Sequence, residues 1–594
     1  MSSLNKYFLN MFISLILMIL VSGYMFYQLW PQYTSRGFTL FSFDKEKKTI
    51  YILKSRDTIN YLDDTLKNVY LNNIQKLATK LKNNGFNPII IDENSIEKLS
   101  SNEVLFAPDT YYLTNIHFLK LKKFISKGGN VIFNYRFAYK IDKTFYGLKN
   151  IEELTGLRHY KKLSNIKTAF FIPKILSPLS YSSPQTRRME FHIYSNDYID
   201  LFKSKNTPDA VLINWPVTST LQLGGKSLDL NKAGIFWHGM YKKGKWVYSS
   251  LPLYAFLDLP DSDFKFLFNN LYRFLSNDIS IMPYPFIQSK SAVFVSEDTE
   301  YKYENMIRFA KLAKEKNINT TLFCVAKLAQ KHKKITRQAS KFKNIEIASH
   351  SFSHTKIIGV PEDVVKQEII KSKIVLESII GKKIYGFRPP REEINPIIEK
   401  YLIDAGYKYV MEKAGKYSLP QLKSNLVVIS RHGTDDYAYI INSDWNKSKI
   451  LQNIIKETNT LKNINSLYTL SVHTHLLSNP KNLDVLENYF DYLKRQNITT
   501  LKGIDIAKKA QILSNLKITT EHFANKLVVT ISNESDYPII DGKFRILHPG
   551  VSIKKISSEL INTEVSVINS HKEYTDVKIN KIPPKTSTII FVSY

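Results

Sequence analysis

The chain has 594 residues, 83 Lys+Arg against 53 Asp+Glu, and a formal charge of +30. Its 43% hydrophobic and 13% aromatic content excludes a mainly disordered chain, and 21 Gly with 22 Pro exclude collagen-like architectures. One cysteine, Cys324, excludes an intrachain disulfide and a multi-cysteine zinc cluster, and the length predicts about three to five domains.

After a short polar tail, residues 7–30 form an apolar run with no charge before Arg36. A membrane-spanning helix needs about 20 such residues, and Trp30 and Tyr33 sit where interfacial aromatics belong. A cleaved signal peptide with a small-residue site at Val21-Ser22-Gly23 competes, but Tyr24-Met25-Phe26-Tyr27 carries the apolar run past it. Residues 1–36 are therefore expected to be a membrane anchor. The bulk of the chain is expected outside the cytoplasm, periplasmic or on the cell surface.

Residues 48–278 alternate strand and helix patterns. Strands are expected at 49–53, 88–91, 104–108 and 130–134, with helices around 73–83 and 118–126 and glycines at helix ends. Residues 177–184 and 186–188 read as loop. No GxGxxG or P-loop pattern occurs. The stretches 119–132 and 243–250 resemble the class I glutamine amidotransferase-like, flavodoxin-like α/β fold. That chemistry needs a nucleophilic cysteine, which this segment lacks, so the resemblance implies a scaffolding or carbohydrate-contacting domain.

Residues 284–512 carry four chemical patterns in order. The apolar strand Ala292-Val293-Phe294-Val295 ends in Ser296-Glu297-Asp298-Thr299, where two carboxylates could divide metal binding and base catalysis. The strand at 345–349 runs into His350-Ser351-Phe352-Ser353-His354; on a helical turn the i, i+4 histidines would share a face and reach one ion. Tyr385-Gly386-Phe387-Arg388-Pro389-Pro390 fixes an arginine in a rigid loop. The strand at 468–472 ends in His473-Thr474-His475, a position suited to proton transfer. Asp444-Trp445 could supply an orienting carboxylate and an aromatic wall.

In that order, these motifs resemble the polysaccharide deacetylase family, the family 4 carbohydrate esterases. The resemblance implies a (β/α) barrel, often with seven strands. It implies a metal held by Asp298, His350 and His354, most readily Zn2+ with Co2+ or Ni2+ acceptable. Glu297 falls on the catalytic base, Arg388 on its tether, His473 on the general acid and Asp444 on the carboxylate that orients it. Trp445 falls on the substrate-groove wall and Arg391 beside the oxyanion site. Three departures stand out: Glu297 replaces an Asp, Ser296 replaces an aromatic, and Arg391 replaces another. His475 competes with His473 for the acid role. Cys324 reads as a small buried residue.

Residues 515–594 show short strands without helical periodicity, as in an immunoglobulin-like β-sandwich. The whole chain then reads as an α/β protein with an anchor, an amidotransferase-like domain, a deacetylase barrel and a C-terminal sandwich. The expected function is metal-dependent de-N-acetylation of an amino-sugar polysaccharide, exopolysaccharide or cell-wall glycan, alongside polysaccharide export or synthesis machinery. The alternative is a catalytically impaired, glycan-binding or assembly protein on the same barrel. Nucleic acid is not an expected partner, because the lysines run through the whole chain without a reader motif.

Overall fold

The computed structural model describes residues 48–594 except 143, 165–167, 182–187, 195–196, 214–232, 414–418, 524 and 559–562. The expected anchor at 1–36 lies outside the described residues. Among those described, no helix is long and apolar enough to cross a membrane.

The first segment is built on a nine-stranded mixed sheet. Its strands are β1 (Thr49–Leu53), β2 (Asn87–Ile91), β3 (Val104–Ala107), β4 (Asn130–Asn134), β5 (Thr168–Pro173), β6 (Met189–His192), β7 (Ala210–Ile213), β8 (Phe236–Tyr241) and β9 (Gly244–Ser249), in the order β6-β5-β7-β8-β9-β4-β3-β1-β2. Strands β9, β4, β3, β1 and β2 run parallel, whereas β6, β5, β7 and β8 extend the sheet antiparallel. The parallel half follows the strand–helix alternation read from the sequence; the antiparallel half comes from a stretch without helical periodicity. Helix α1 (Asp64–Asn83) is capped by the Asp63 side chain, which accepts from Leu66 N. It buries Tyr70, Ile74, Leu77 and Leu81, a stripe of i, i+4, i+7 spacing.

Strand β10 (Ser280–Pro283) follows, between the first and second expected segments. It pairs antiparallel with Phe544–Leu547 of the C-terminal segment. The barrel comprises β11 (Ala292–Thr299), β12 (Thr320–Cys324), β13 (Ile345–Ser349), β14 (Gly386–Phe387), β15 (Tyr409–Glu412), β16 (Gln421–Lys423), β17 (Leu426–Ser430) and β18 (Leu467–His473). Their order is β16-β17-β15-β14-β13-β12-β11-β18, all parallel except the edge strand β16, so the sheet curls into an open half-barrel. Strand alternation sorts β11 between two cores. Ala292 and Phe294 join one hydrophobic cluster, which extends to the α/β segment. Val293 and Val295 join a second one, with the surrounding helices.

The sandwich has strands β19 (Leu516–Phe523), β20 (Lys526–Asn533), β21 (Ile539–Leu547), β22 (Lys555–Ser558), β23 (Val565–Ser570), β24 (Tyr574–Ile582) and β25 (Thr586–Ser593). Two four-stranded sheets, β10-β21-β24-β23 and β19-β20-β25-β22, enclose a core that includes Leu527, Val529, Phe544, Val577 and Ile590. Residues Thr49–Tyr594 form one compact unit.

Candidate active site

The seven parallel barrel strands end on one side, and the polar residues gather there. That is where a half-barrel leaves loops free to carry chemistry. Strand β11 runs through Thr299, so its side chains keep alternating past the point where the sequence suggested a turn. Glu297 is register partner of Leu322 and Val472, both in the helix-side core. Asp298 is register partner of His473 on the neighbouring strand, so those two side chains share the interior face.

Glu297 therefore does not reach the site. It is fully buried, accepts from Thr299 Oγ1 at 3.0 Å, and leaves Oε2 without a partner. Burial pushes its carboxyl up to about 7. The base was expected at Glu297; the carboxylate on the site face is Asp298. Arg388 Nη1 donates to Asp298 Oδ1 at 2.8 Å, while Oδ2 lies 3.7 Å from His473 Nε2 and 3.9 Å from His350 Nε2.

Two residues beyond Asp298 and just past the end of β11, Glu300 also faces the site. Its Oε2 lies 2.8 Å from His354 Nε2 and its Oε1 3.8 Å from His475 Nδ1. Burial opposes its charge, but the His354 hydrogen bond and the neighbouring histidines hold its carboxyl down at about 2. Glu300, His350 and His354 place one ligand atom each within 4.8 Å of one another. The sequence reading grouped Asp298, not Glu300, with this histidine pair.

The two histidines come together without the helical turn invoked for them. Residues 350–354 form an irregular loop after β13, with left-handed backbone at Ser351 (φ 66°) and His354 (φ 66°). His354 N donates to Ser351 Oγ at 3.0 Å, and the His350 and His354 ring centroids lie 4.8 Å apart. His350 Nδ1 donates to the Arg388 carbonyl at 2.8 Å, which leaves Nε2 for the site. Burial holds His350 below its ordinary pKa, which favours the neutral ring.

His473 is oriented by Asp436, not by Asp444. Asp436, fully buried, accepts from His473 Nδ1 at 2.6 Å, from His473 N at 2.7 Å and from Leu477 N at 3.1 Å. Burial disfavours the imidazolium, but Asp436, Asp298 and Glu300 outweigh it and push His473 up to about 10. Asp444 is exposed in the turn before the helix Lys447–Asn463. His475 moves the other way: burial and the adjacent His473 hold it below its ordinary value. Trp445 stacks on Tyr439 at 5.6 Å, under Lys449, and Arg391 is exposed on a left-handed turn. Cys324 is buried, its thiol pushed up to about 12.

Behind Arg388 lies a buried chain of charge. Arg388 Nη2 donates to Glu392 Oε1 at 2.7 Å; Glu392 in turn accepts from Arg431 Nε at 3.0 Å and Nη2 at 2.7 Å. The two arginines hold the Glu392 carboxyl down at about 2 against the effect of burial. Glu300, Asp436, Glu392 and Arg431 went unassigned in the sequence. An acid–x–acid pattern at a strand end, and the run Arg431-His432-Gly433-Thr434-Asp435-Asp436 directly after β17, are the signals that mark them.

Residues 288–410 match the family model for polysaccharide deacetylase, so the chain carries an amide-hydrolase domain. A Mycobacterium smegmatis protein assigned to the polysaccharide deacetylases is 17% identical; the match covers 40% of this chain and 96% of that one, at a TM-score of 0.35. A family 4 carbohydrate esterase from Bacillus anthracis is 16% identical over 38% of this chain and 84% of that one, at a TM-score of 0.27. A family 4 pseudoenzyme from Bacillus anthracis is 14% identical over 37% of this chain and 66% of that one, at a TM-score of 0.29. No curated protein matches the chain.

Proposed function

We propose that the barrel removes acetyl groups from an acetylated amino-sugar polysaccharide outside the cytoplasm, using a divalent metal held by Glu300, His350 and His354. The observation that carries this reading is Asp298, fixed by Arg388 and facing both His350 and a protonated His473. The donor set suits the ion: a charged carboxylate, an imidazole with its other nitrogen already engaged, and a second imidazole beside them. One carboxylate and two imidazoles suit Zn2+ and accept Co2+ or Ni2+. When bound, such a metal lowers the pKa of water and polarises the amide carbonyl.

The chain's own groups supply the rest. Arg388 occupies Oδ1 of Asp298, so Oδ2 is the atom left to take a proton from the attacking water. Water oxygen bonds to the acetyl carbon, and the carbon–nitrogen bond breaks. His473, charged by Asp436, delivers a proton from Nε2 to the departing nitrogen. Acetate and a free amino sugar result. Arg391, exposed beside this loop, stays a candidate substrate contact. The extracytoplasmic placement rests on the apolar run at residues 7–30, and membrane fractionation of the full chain tests it.

Metal analysis and acetate release from polymers of N-acetylglucosamine test the chemistry. Zinc-loaded protein is expected to release acetate, and His350→Ala to lose both metal and activity. A wild type that binds metal yet releases no acetate from any acetylated amino-sugar polymer would replace this reading with the glycan-binding alternative.

A further inference from the structure

The first α/β segment and the C-terminal sandwich enclose a cleft that the proposed chemistry does not use. Its two adjoining cavities, of about 230 and 400 Å³, share Asn206, Thr207, Asp209, His238, His571 and Glu573 as walls. No described lining residue comes from the barrel. Strands β5 and β7 pair antiparallel with Pro173 opposite Ala210, and Lys174 N donates to the Asp209 carbonyl at 2.6 Å. Lys174 and Asp209 therefore stand side by side where the two strands end. Arg545, on β21, lines the smaller cavity from the sandwich side.

Charge in the cleft does not balance. Among the described lining residues the acidic ones are Asp209 and Glu573. Both face His238: Asp209 accepts from Nδ1 at 2.7 Å, and Glu573 Oε2 lies 3.6 Å from Nε2. Arg545 is held by Asp576 through hydrogen bonds of 2.7 and 2.8 Å, with its guanidinium 3.5 Å from the Tyr574 ring centroid. Asp576 also meets Lys290 at 3.1 Å. Lys174 is left over. Its ammonium donates to Thr207 Oγ1, and among the described residues no carboxylate lies within ion-pair distance of it. Burial, with Arg545 and Lys290 nearby, holds its pKa below the ordinary value against the pull of Asp209.

A half-buried ammonium without a counter-charge is costly, and a hydroxyl does not neutralise it. An oxyanion from outside supplies both the charge and the acceptor atoms. Cavities of this size take a small molecule, and Tyr181, Phe274 and Tyr574 offer apolar walls for its body. We infer that this cleft is an oxyanion-binding site, in which a small molecule sets a phosphate or carboxylate group against Lys174. Such a ligand touches both the α/β segment and the sandwich, so it binds the native fold and stabilises it. The inference is independent of the deacetylase reading, and acetate release does not score it.

Thermal unfolding of the full-length protein at constant ionic strength reads the site. The probes are inorganic phosphate and glucuronate, with glucose as the uncharged control. A saturable rise in Tm is expected with phosphate, glucuronate or both, and none with glucose. A response to one anion and not the other identifies which oxyanion the site takes. Lys174→Met is expected to raise the half-saturating concentration by about tenfold or more, as loss of a hydrogen bond to a charged group does. Lys174→Arg, which keeps the charge, should recover part of that loss. No saturable rise with either anion, an unchanged anion response in Lys174→Met, or an equal response to glucose overturns the inference.

Discussion

Side chains alternate across a strand, so Glu297 and Asp298 leave β11 on opposite faces although they are neighbours in the chain. Adjacent carboxylates at a strand end cannot both serve one site while the strand continues. Residues two apart can, and Asp298 and Glu300 do face it. Asp298→Asn is expected to lower kcat for acetate release by about 10²- to 10⁴-fold, the usual contribution of a general base. Glu297→Gln should leave activity within a few-fold of wild type, and equal losses in the two variants would refute the face assignment. Asp436 raises the pKa of His473, so Asp436→Asn should lower it. The acid form then disappears at lower pH, and the alkaline limb of the kcat/KM profile should move toward acid. An unmoved limb would show that Asp436 does not set the charge of His473.

Loops at the strand ends show which parts of the site were legible in the chain. His350, His354, Arg388 and His473, singled out in the sequence, stand at or just beyond strand ends, and the parallel sheet brings those ends together. The reason first given for the histidine pair, a shared helical face, does not describe them: left-handed turns at Ser351 and His354 bring the rings together. Spacing alone cannot distinguish a helical turn from a hairpin-like loop. Asp444 is read as the orienting carboxylate from its place beside Trp445, but the carboxylate that meets His473 is Asp436, brought there by β17 and β18, which no local pattern reveals. The Arg431–Glu392–Arg388 chain was invisible for the same reason: Arg388 and Glu392 share one loop, but Arg431 comes from another and meets them only in the fold. Glu392 neutralises two buried guanidinium groups, and removing one partner of a buried ion pair typically costs about 3–5 kcal/mol. Glu392→Ala should therefore lower stability in denaturant titration by about that amount and release Arg388 from its position. Full stability with full activity would mean that neither arginine depends on it.

At the scale of the molecule, the C-terminal sandwich is tied to both preceding segments. Strand β10, from the connection between α/β segment and barrel, forms an edge of one sandwich sheet. The turn between β23 and β24 carries Glu573 to His238 on β8, with Nε2 3.6 Å from its carboxylate, while His238 Nδ1 donates to Asp209 at 2.7 Å. Burial disfavours charge on His238, but Asp209 and Glu573 outweigh it and push the ring up to about 10. Glu573 is held below its ordinary value, against burial, chiefly by its hydrogen bond to His238. A raised histidine pKa contributes stability that is complete below its ordinary value of 6.5 and is lost as pH rises through about 10. A depressed carboxyl contributes above its ordinary 4.5 and loses that contribution as pH falls. The contact is thus strongest between those two ordinary values. Other buried groups here, Lys245 among them, also titrate toward alkaline pH, so the informative quantity is a difference between proteins. The Tm of wild type should exceed that of His238→Gln by about 2–4 °C near pH 5–6. That gap should narrow steadily toward pH 10, and added salt should reduce it, because the ring is partly exposed. A gap that is constant across this range would mean that His238 joins the segments by packing and not by charge.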